Sequence, residues 1–393
     1  MFYAYYVIIY LVKQNAGIMS ELNQITETSK KTKTKKALKI ILLLLFFGAT
    51  FYTVYAVSKT LSGGSIASLE EIFSDVNVLY AVILALLVIL LFFTDALKYA
   101  VVSKITTGKF RYRLAVSVGI MGRFYDNITP FNTGGQPYQV YQYYKQGYAS
   151  SVATAIPIVK YIFQLIAWIF VSVILYIANS RALAYLPAGQ AAAVGSLTYI
   201  GIVIASLAPA IVILFSLFPK TIHKFIVFFI RLGSKLKIVK DYEKVSNQTL
   251  AFLESYRMAF VYIAKNLWGV TALFVVSCMD FLLMMSVPFF VVIAFGKTEP
   301  SISLLFNVVT LNAYSLFAAS LVPTPGNSGA IEGVASMAFA PIPMANGALF
   351  WVVFAWRFCT YYIYIIFGLT GTLIKFCKKR NRNRLIKKYK LNG

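Results

Sequence analysis

The chain has 393 residues, 59% of them apolar and only 13% charged, with a mean hydropathy of +0.73. An ordinary soluble domain carries about 25% charged residues, so this composition excludes a soluble enzyme. A net charge of +24 would indicate nucleic acid as the partner of a soluble protein, but here apolar runs long enough to span a bilayer recur and basic residues gather between them. That is the pattern of an all-α polytopic membrane protein.

Residues 1–12 are apolar and aromatic but lack a basic leading region and a small-residue cleavage site, so they do not read as a signal peptide. Met19 offers a second start. The rest of the arm at 1–36 is polar and Lys-rich and is expected to lie in the cytoplasm. Apolar segments follow at about 37–58, 77–94, 152–178, 197–218, 266–295, 302–322 and 344–374, each able to cross a ~30 Å hydrocarbon core at 1.5 Å per residue. Two others, 114–128 and 330–343, would reach only ~20 Å as helices. Both abut a Gly/Pro-rich break: Thr129-Pro130-Phe131-Asn132-Thr133-Gly134-Gly135-Gln136-Pro137 and Pro323-Thr324-Pro325-Gly326-Asn327-Ser328-Gly329.

If each break is the tip of a re-entrant hairpin, over 114–149 and 302–343, six full crossings remain. Thirty-one Lys and Arg then fall on the side of the two termini and three, Lys59, Arg181 and Lys297, on the other. The positive-inside rule makes both termini cytoplasmic. The two hairpins enter from opposite sides, the inverted-repeat arrangement whose binding site lies near the midplane; two Pro-kinked ordinary helices are the alternative. The membrane halves are 37–218 and 265–376. The linker at 219–264 carries Ile222, Phe225, Ile226, Phe229 and Ile230 at helical spacing, with His223, Lys224 and Arg231 for the opposite face, as in an interfacial helix. The tail at 377–393, basic and without acids, is expected to hold to anionic headgroups.

Three cysteines and one histidine cannot supply a disulfide framework, a zinc site or an iron–sulfur site, and no nucleotide-binding loop of the form G-x-x-x-x-G-K-[ST] occurs. No cofactor is expected. The informative residues are charges inside the hydrocarbon, each costing several kcal/mol unless paired or wet: Arg123, Asp126, Lys160, Asp280, Glu332 and Arg357. Lys160 could instead snorkel to the headgroups, and Asp95 is set aside as a span end. Three bases and three acids suit a substrate carrying both signs of charge. In the first break, Pro130 and Gly134-Gly135 interrupt the helix, Gln136 could cap a new one and Pro137 suits its first position. Such a helix start, with Asn132, Thr133 and Gln139 beside it, would receive a phosphate or carboxylate. Ser328 or Gly329 can likewise begin a half-helix with Glu332 in its first turn.

The segment Ile128-Thr129-Pro130-Phe131-Asn132-Thr133-Gly134-Gly135-Gln136-Pro137-Tyr138-Gln139-Val140-Tyr141, followed by Lys145-Gln146-Gly147, resembles the flippase-like transmembrane family, to which the N-terminal half of the lysylphosphatidylglycerol synthase/flippase (the multiple peptide resistance factor) belongs. The later Pro323-Thr324-Pro325-Gly326-Asn327-Ser328-Gly329-Ala330-Ile331-Glu332-Gly333 is similar to that family's second signature, with Asn327 where glycine is expected. The resemblance covers roughly residues 37–376. It implies a cell-membrane domain that moves aminoacylated phosphatidylglycerol or a related phospholipid between leaflets without nucleotide hydrolysis and without a nucleic-acid partner. On that reading Arg123 and the Gln136/Pro137 helix start hold the phosphate, while Asp126, Asp280 and Glu332 receive a cationic headgroup. In the full resistance factor a soluble domain transfers lysine to the lipid. The chain ends about 18 residues after its last predicted span, so that domain is not expected here, and a separate aminoacyltransferase becomes a possible partner. Phosphatidylglycerol lysyltransferase and a non-transporting membrane scaffold are the alternative functions.

Overall fold

The computed structural model describes residues 48, 51–52, 54–74, 76–129, 132–235, 242–320, 322 and 324–374. The predicted arm, most of the segment at 37–58, Pro130, Phe131, Pro323 and the basic tail lie outside these. The described residues form helices joined by turns: α1 (54–61) and α2 (Leu69–Phe73) precede two sets of four. The first set is α3 (Val78–Thr107), α4 (Tyr112–Asn127), α5 (Gly135–Lys145) and α6 (Ser150–Ala178). After α7 (Ala188–Leu217), α8 (Pro219–Lys235) and α9 (Tyr242–Lys265) comes the second set: α10 (Leu267–Phe295), α11 (Ile302–Ala319), α12 (Ala330–Phe339) and α13 (Leu349–Ile374).

Both sets have one plan, a long helix, a shorter one, a break, a short helix folded back on its predecessor, and a second long helix. α4 packs on α5 and α11 on α12, so both breaks are hairpin tips. Among the described residues, six helices are long and apolar enough to cross a membrane: α3, α6, α7, α10, α11 and α13. The predicted six crossings included 37–58 and treated 302–322 as a hairpin arm. α11 does form such an arm, yet its 18 residues reach ~27 Å, so by length it could also cross.

Side-chain caps set several starts: Asn77 accepts from Tyr80 N–H, Asn266 from Gly269 N–H and Ser301 from Leu304 N–H, each satisfying a donor that the first turn leaves free. α3 departs furthest from expectation. Its predicted end at 94 was the onset of charge, but the helix continues to Thr107 and stops at Gly108 in the left-handed conformation. Asp95 and Lys98 therefore lie inside a span, both buried.

Two apolar cores hold the sets together. One joins the first half of α3 to α10, α11, α12 and α13, with Phe339, Val352 and Val353 fully buried. The other joins the second half of α3 to α4, α5, α6 and α9 around Ala100, Val102 and Tyr143. Met121 and Phe124 of α4 pack with Tyr361 and Ile365 of α13, linking the first hairpin to the second set.

The linker is a helical pair rather than one interfacial helix. Ile226 and Ile230 pack with Leu253 of α9, leaving Phe225 and Phe229 exposed, so the predicted apolar face divides between two surroundings. His223 Nε2 sits 2.9 Å from the Ser246 carbonyl; the expected solvated histidine instead bridges α8 and α9.

Candidate functional site

Three helix interiors carry a proline, Pro157 in α6, Pro209 in α7 and Pro288 in α10, and Pro157 itself, with Ala205 and Met284 one turn before the other two, borders one space. Each proline lacks an N–H and so frees a carbonyl one turn back. α13 contains a turn of π-helix at Phe358–Tyr362, the local widening that often accompanies functional sites. These irregularities surround a cavity of about 380 Å³. The two breaks, nearly two hundred residues apart in sequence, meet in its wall: Asn132 and Gln136 come from the first, Gly326 and Asn327 from the second.

At the first break, α5 begins at Gly135 rather than at Gln136 or Pro137. Gly135 N–H donates to Asp126 Oδ1 at 2.7 Å and Gly134 N–H to Thr129 Oγ1 at 2.8 Å. Pro137 then sits third in the helix, where a missing N–H costs nothing because the first four have no helical acceptor. The positive end of α5, expected to receive a substrate anion, is thus occupied by the chain's own carboxylate and hydroxyl. The glycine pair permits this closeness: a Cβ on Gly135 would collide with the Asp126 carboxylate, and one on Gly134 with Thr129.

At the second break, α12 starts at Ala330 with Glu332 in its first turn, as its sequence suggests. Glu332 Oε2 accepts from Gly329 N–H at 2.6 Å, and Oε1 accepts from Arg357 Nε at 2.7 Å. Arg357 Nη2 also donates to Ser328 Oγ at 2.9 Å and to the Gly326 carbonyl at 3.2 Å, and its guanidinium lies 4.2 Å from the Tyr361 ring centroid. Glu332 is 0% exposed. It clamps the break to α13 and is not placed to receive a headgroup.

Between the two cores lies a connected set of charges. Lys98 Nζ stands 2.6 Å from Asp280 Oδ2, 3.0 Å from Asp95 Oδ1 and 3.4 Å from Gln164 Oε1, which uses all three of its donors. Asp95 Oδ1 is also 2.8 Å from Lys160 Nζ and 3.7 Å from Arg123 Nη2, while Thr94 donates to Asp280 Oδ1 at 2.6 Å. Lys160 does not snorkel: it is 5% exposed, with its ammonium 4.7 Å from the Tyr99 ring centroid. The network ties α3, α4 and α6 to α10.

The family model described as the lysylphosphatidylglycerol synthase TM region matches residues 36–368 of the chain. The chain belongs to that family. No curated protein and no solved structure matches it. In this synthase-family membrane region, the second break departs from the expected glycine at Asn327 for a visible reason. Its φ is 52° and that of Asn132 in the first break is 53°, in the left-handed region that asparagine tolerates better than other side chains after glycine.

Of the sixteen candidate residues, Arg123, Asp126, Asn132, Gln136, Gln139, Gly326, Asn327 and Arg357 line the cavity. Thr133, Gly134, Gly135, Pro137, Pro325, Ser328 and Glu332 belong to the two breaks without forming its wall, and Asp280 stands behind it on Lys98. Sequence reasoning passed over Asp95 and Lys98 and ranked Lys160 last; it did not single out Gln164, Asn312 or Tyr361, which also line the cavity. The usable signal was the Asp95/Lys98 pair at i, i+3 with an apolar run continuing beyond it at Tyr99–Val102, since an acid and a base one turn apart within a span can pair and stay.

Proposed function

We propose that this membrane region is a phospholipid translocase that works without nucleotide hydrolysis, with both termini cytoplasmic. The observation that carries the reading is one cavity, largely apolar but with Arg123, Lys160 and Arg357 in its wall, at the meeting of two broken helices from similarly built sets. Its volume, about 380 Å³, lies in the ~300–1,000 Å³ range of small-ligand sites. That takes a headgroup while the acyl chains stay in the bilayer. Arg123, 23% exposed at its side chain and only loosely paired at 3.7 Å, is the group best placed to meet a phosphate, with Lys160 behind it. Broken helices at membrane depth are where transporters of inverted-repeat construction bind substrate. The family's description makes phosphatidylglycerol and its lysyl ester the lipids to test, and the basic tail is assigned to anionic headgroups of the cytoplasmic leaflet.

Purified protein in vesicles is expected to move an acyl-labelled phospholipid between leaflets without ATP, read by quenching of the outer-leaflet label. Arg123→Ala should slow movement at least tenfold, equivalent to about 1.4 kcal/mol on the barrier, with insertion and folding checked in parallel. Movement no faster than in protein-free vesicles would refute translocation and favour a scaffold. Lysylation of phosphatidylglycerol by this chain alone, given charged tRNA, would instead favour the enzyme reading. Orientation is checked with an impermeant thiol reagent on intact cells: Ser65→Cys is expected to react, and Lys30→Cys and Asn392→Cys to be shielded.

A further inference from the structure

The charges at this depth are balanced in number but not in position. Among the bases Lys98, Arg123, Lys160 and Arg357, all but Lys98 reach the cavity wall; among the acids Asp95, Asp126, Asp280 and Glu332, only Asp126 does. The other three acids are held behind the wall. Asp280 serves Lys98 and Thr94, Asp95 serves Lys98 and Lys160, and Glu332 serves Arg357 and the Gly329 N–H. Asp126 already commits Oδ1 to the start of α5. Bases in front and carboxylates behind make a site that favours negative charge and repels a second positive one.

The remaining polar wall is mainly amide, with Asn127, Asn132, Gln136, Gln139, Gln164, Asn312 and Asn327, alongside the hydroxyls of Tyr99, Tyr161, Ser320, Thr360 and Tyr361. Amides both donate and accept and carry no charge, the complement of hydroxyl groups. An ammonium entering here would meet Arg123, Lys160 and Arg357 ahead of the carboxylates paired with them, and in the wall one carboxylate that already caps a helix, so discrimination comes from the order of the charges, by repulsion as much as by attraction.

We infer that the lipid handled by this cavity is an anionic phospholipid with an uncharged, hydroxyl-bearing headgroup, phosphatidylglycerol being the simplest case, and not one whose headgroup carries an ammonium group. The inference rests on the translocase reading and reverses the headgroup that the family resemblance implies. Of the three carboxylates expected to receive an ammonium, Asp280 and Glu332 are paired with Lys98 and Arg357 behind the wall, and Asp126, which does line the cavity, holds the start of α5 through Oδ1.

The test compares acyl-labelled phosphatidylglycerol, its lysyl ester and phosphatidylethanolamine, each at trace level in phosphatidylcholine vesicles holding the wild-type protein. Phosphatidylglycerol is expected to move at least fivefold faster than either ammonium-bearing lipid. Equal rates, or faster movement of the lysyl ester, would overturn the inference and leave the translocase reading intact; no movement of any of the three would overturn both. Gln136→Glu adds a carboxylate to the wall in the first turn of α5, where the helix dipole accepts it, and should lower the ratio of phosphatidylglycerol to lysyl-ester rates at least threefold. An unchanged ratio in the folded variant would show that the wall does not set selectivity and would overturn the inference. Glycerol 3-phosphate, the same chemistry without acyl chains, should not enter the vesicles; its uptake would identify a soluble anion in place of a lipid.

Discussion

The two helix breaks solve one problem in two ways. Each must start a helix in the protein interior without leaving its first N–H groups bare, and each does so with a carboxylate. In the first, Asp126 reaches from the end of α4 to Gly135 N–H and remains in the cavity wall. In the second, Glu332 reaches back within its own first turn to Gly329 N–H and is sealed from solvent by Arg357. Asp126 caps its break from within the cavity wall, whereas Glu332, locked in a buried ion pair, turns its break into a brace. Similar sequence punctuation thus yields one cap beside the cavity and one behind it.

The sharpest way to break this contrast is to unlock the brace. Glu332→Ala leaves the Arg357 guanidinium buried without its carboxylate, and removing one partner of a buried pair costs about 3–5 kcal/mol. The variant is expected to lose folded yield or melt far below the wild type in detergent; wild-type stability would mean that the pair does not brace the break.

A smaller effect is expected in solvent access. Asn132→Cys should react with a small polar thiol reagent faster than Asn327→Cys, since Asn327 is only 7% exposed, and both should react at least tenfold faster than Ser336→Cys, which is buried in α12. Leu86→Cys, on the lipid-facing side of α3 at 60% exposure, serves as the apolar control. If Asn132→Cys and Ser336→Cys are equally inert, the first break is a dry kink and the cavity is not wet.

The smallest expected effect tests what the breaks share. Asn132 and Asn327 both hold positive φ, so glycine at either should change stability by no more than about 0.5 kcal/mol, while Asn327→Ala should cost roughly 1–2 kcal/mol. Thermal melts of the three variants decide it. An alanine as well tolerated as glycine would show that the backbone there relaxes.

Apolar periodicity located α6, α10 and α12 to within a few residues, because a helix in lipid must be apolar along most of its length. It failed at α3 for a physical reason. Charge was taken to mark the membrane boundary, but Asp95 and Lys98 find partners in Lys160 and Asp280 from other helices, and paired charges need not leave the hydrocarbon. α7 begins nine residues before its predicted start, because Ala188–Ala193 is only weakly apolar while still favouring helix. The sequence reading did not separate α9 from the linker because its apolar face is satisfied by α6 and α8.

By itself the sequence determined that the chain crosses a membrane several times, that two Gly/Pro breaks interrupt it at corresponding places, and that Arg123, Asp126, Asn132, Gln136, Asn327 and Glu332 stand in or beside them. These follow from hydrocarbon length, missing N–H groups and the cost of charge in lipid, all local to a segment. The tertiary structure alone decided that both breaks line one cavity, that Glu332 pairs with Arg357 while Asp126 caps α5, and that Lys98 and Lys160 belong to one network with Asp95. Which acid neutralises which base depends on distances between helices far apart in the chain. A sequence read segment by segment carries the number of charges but not their pairing.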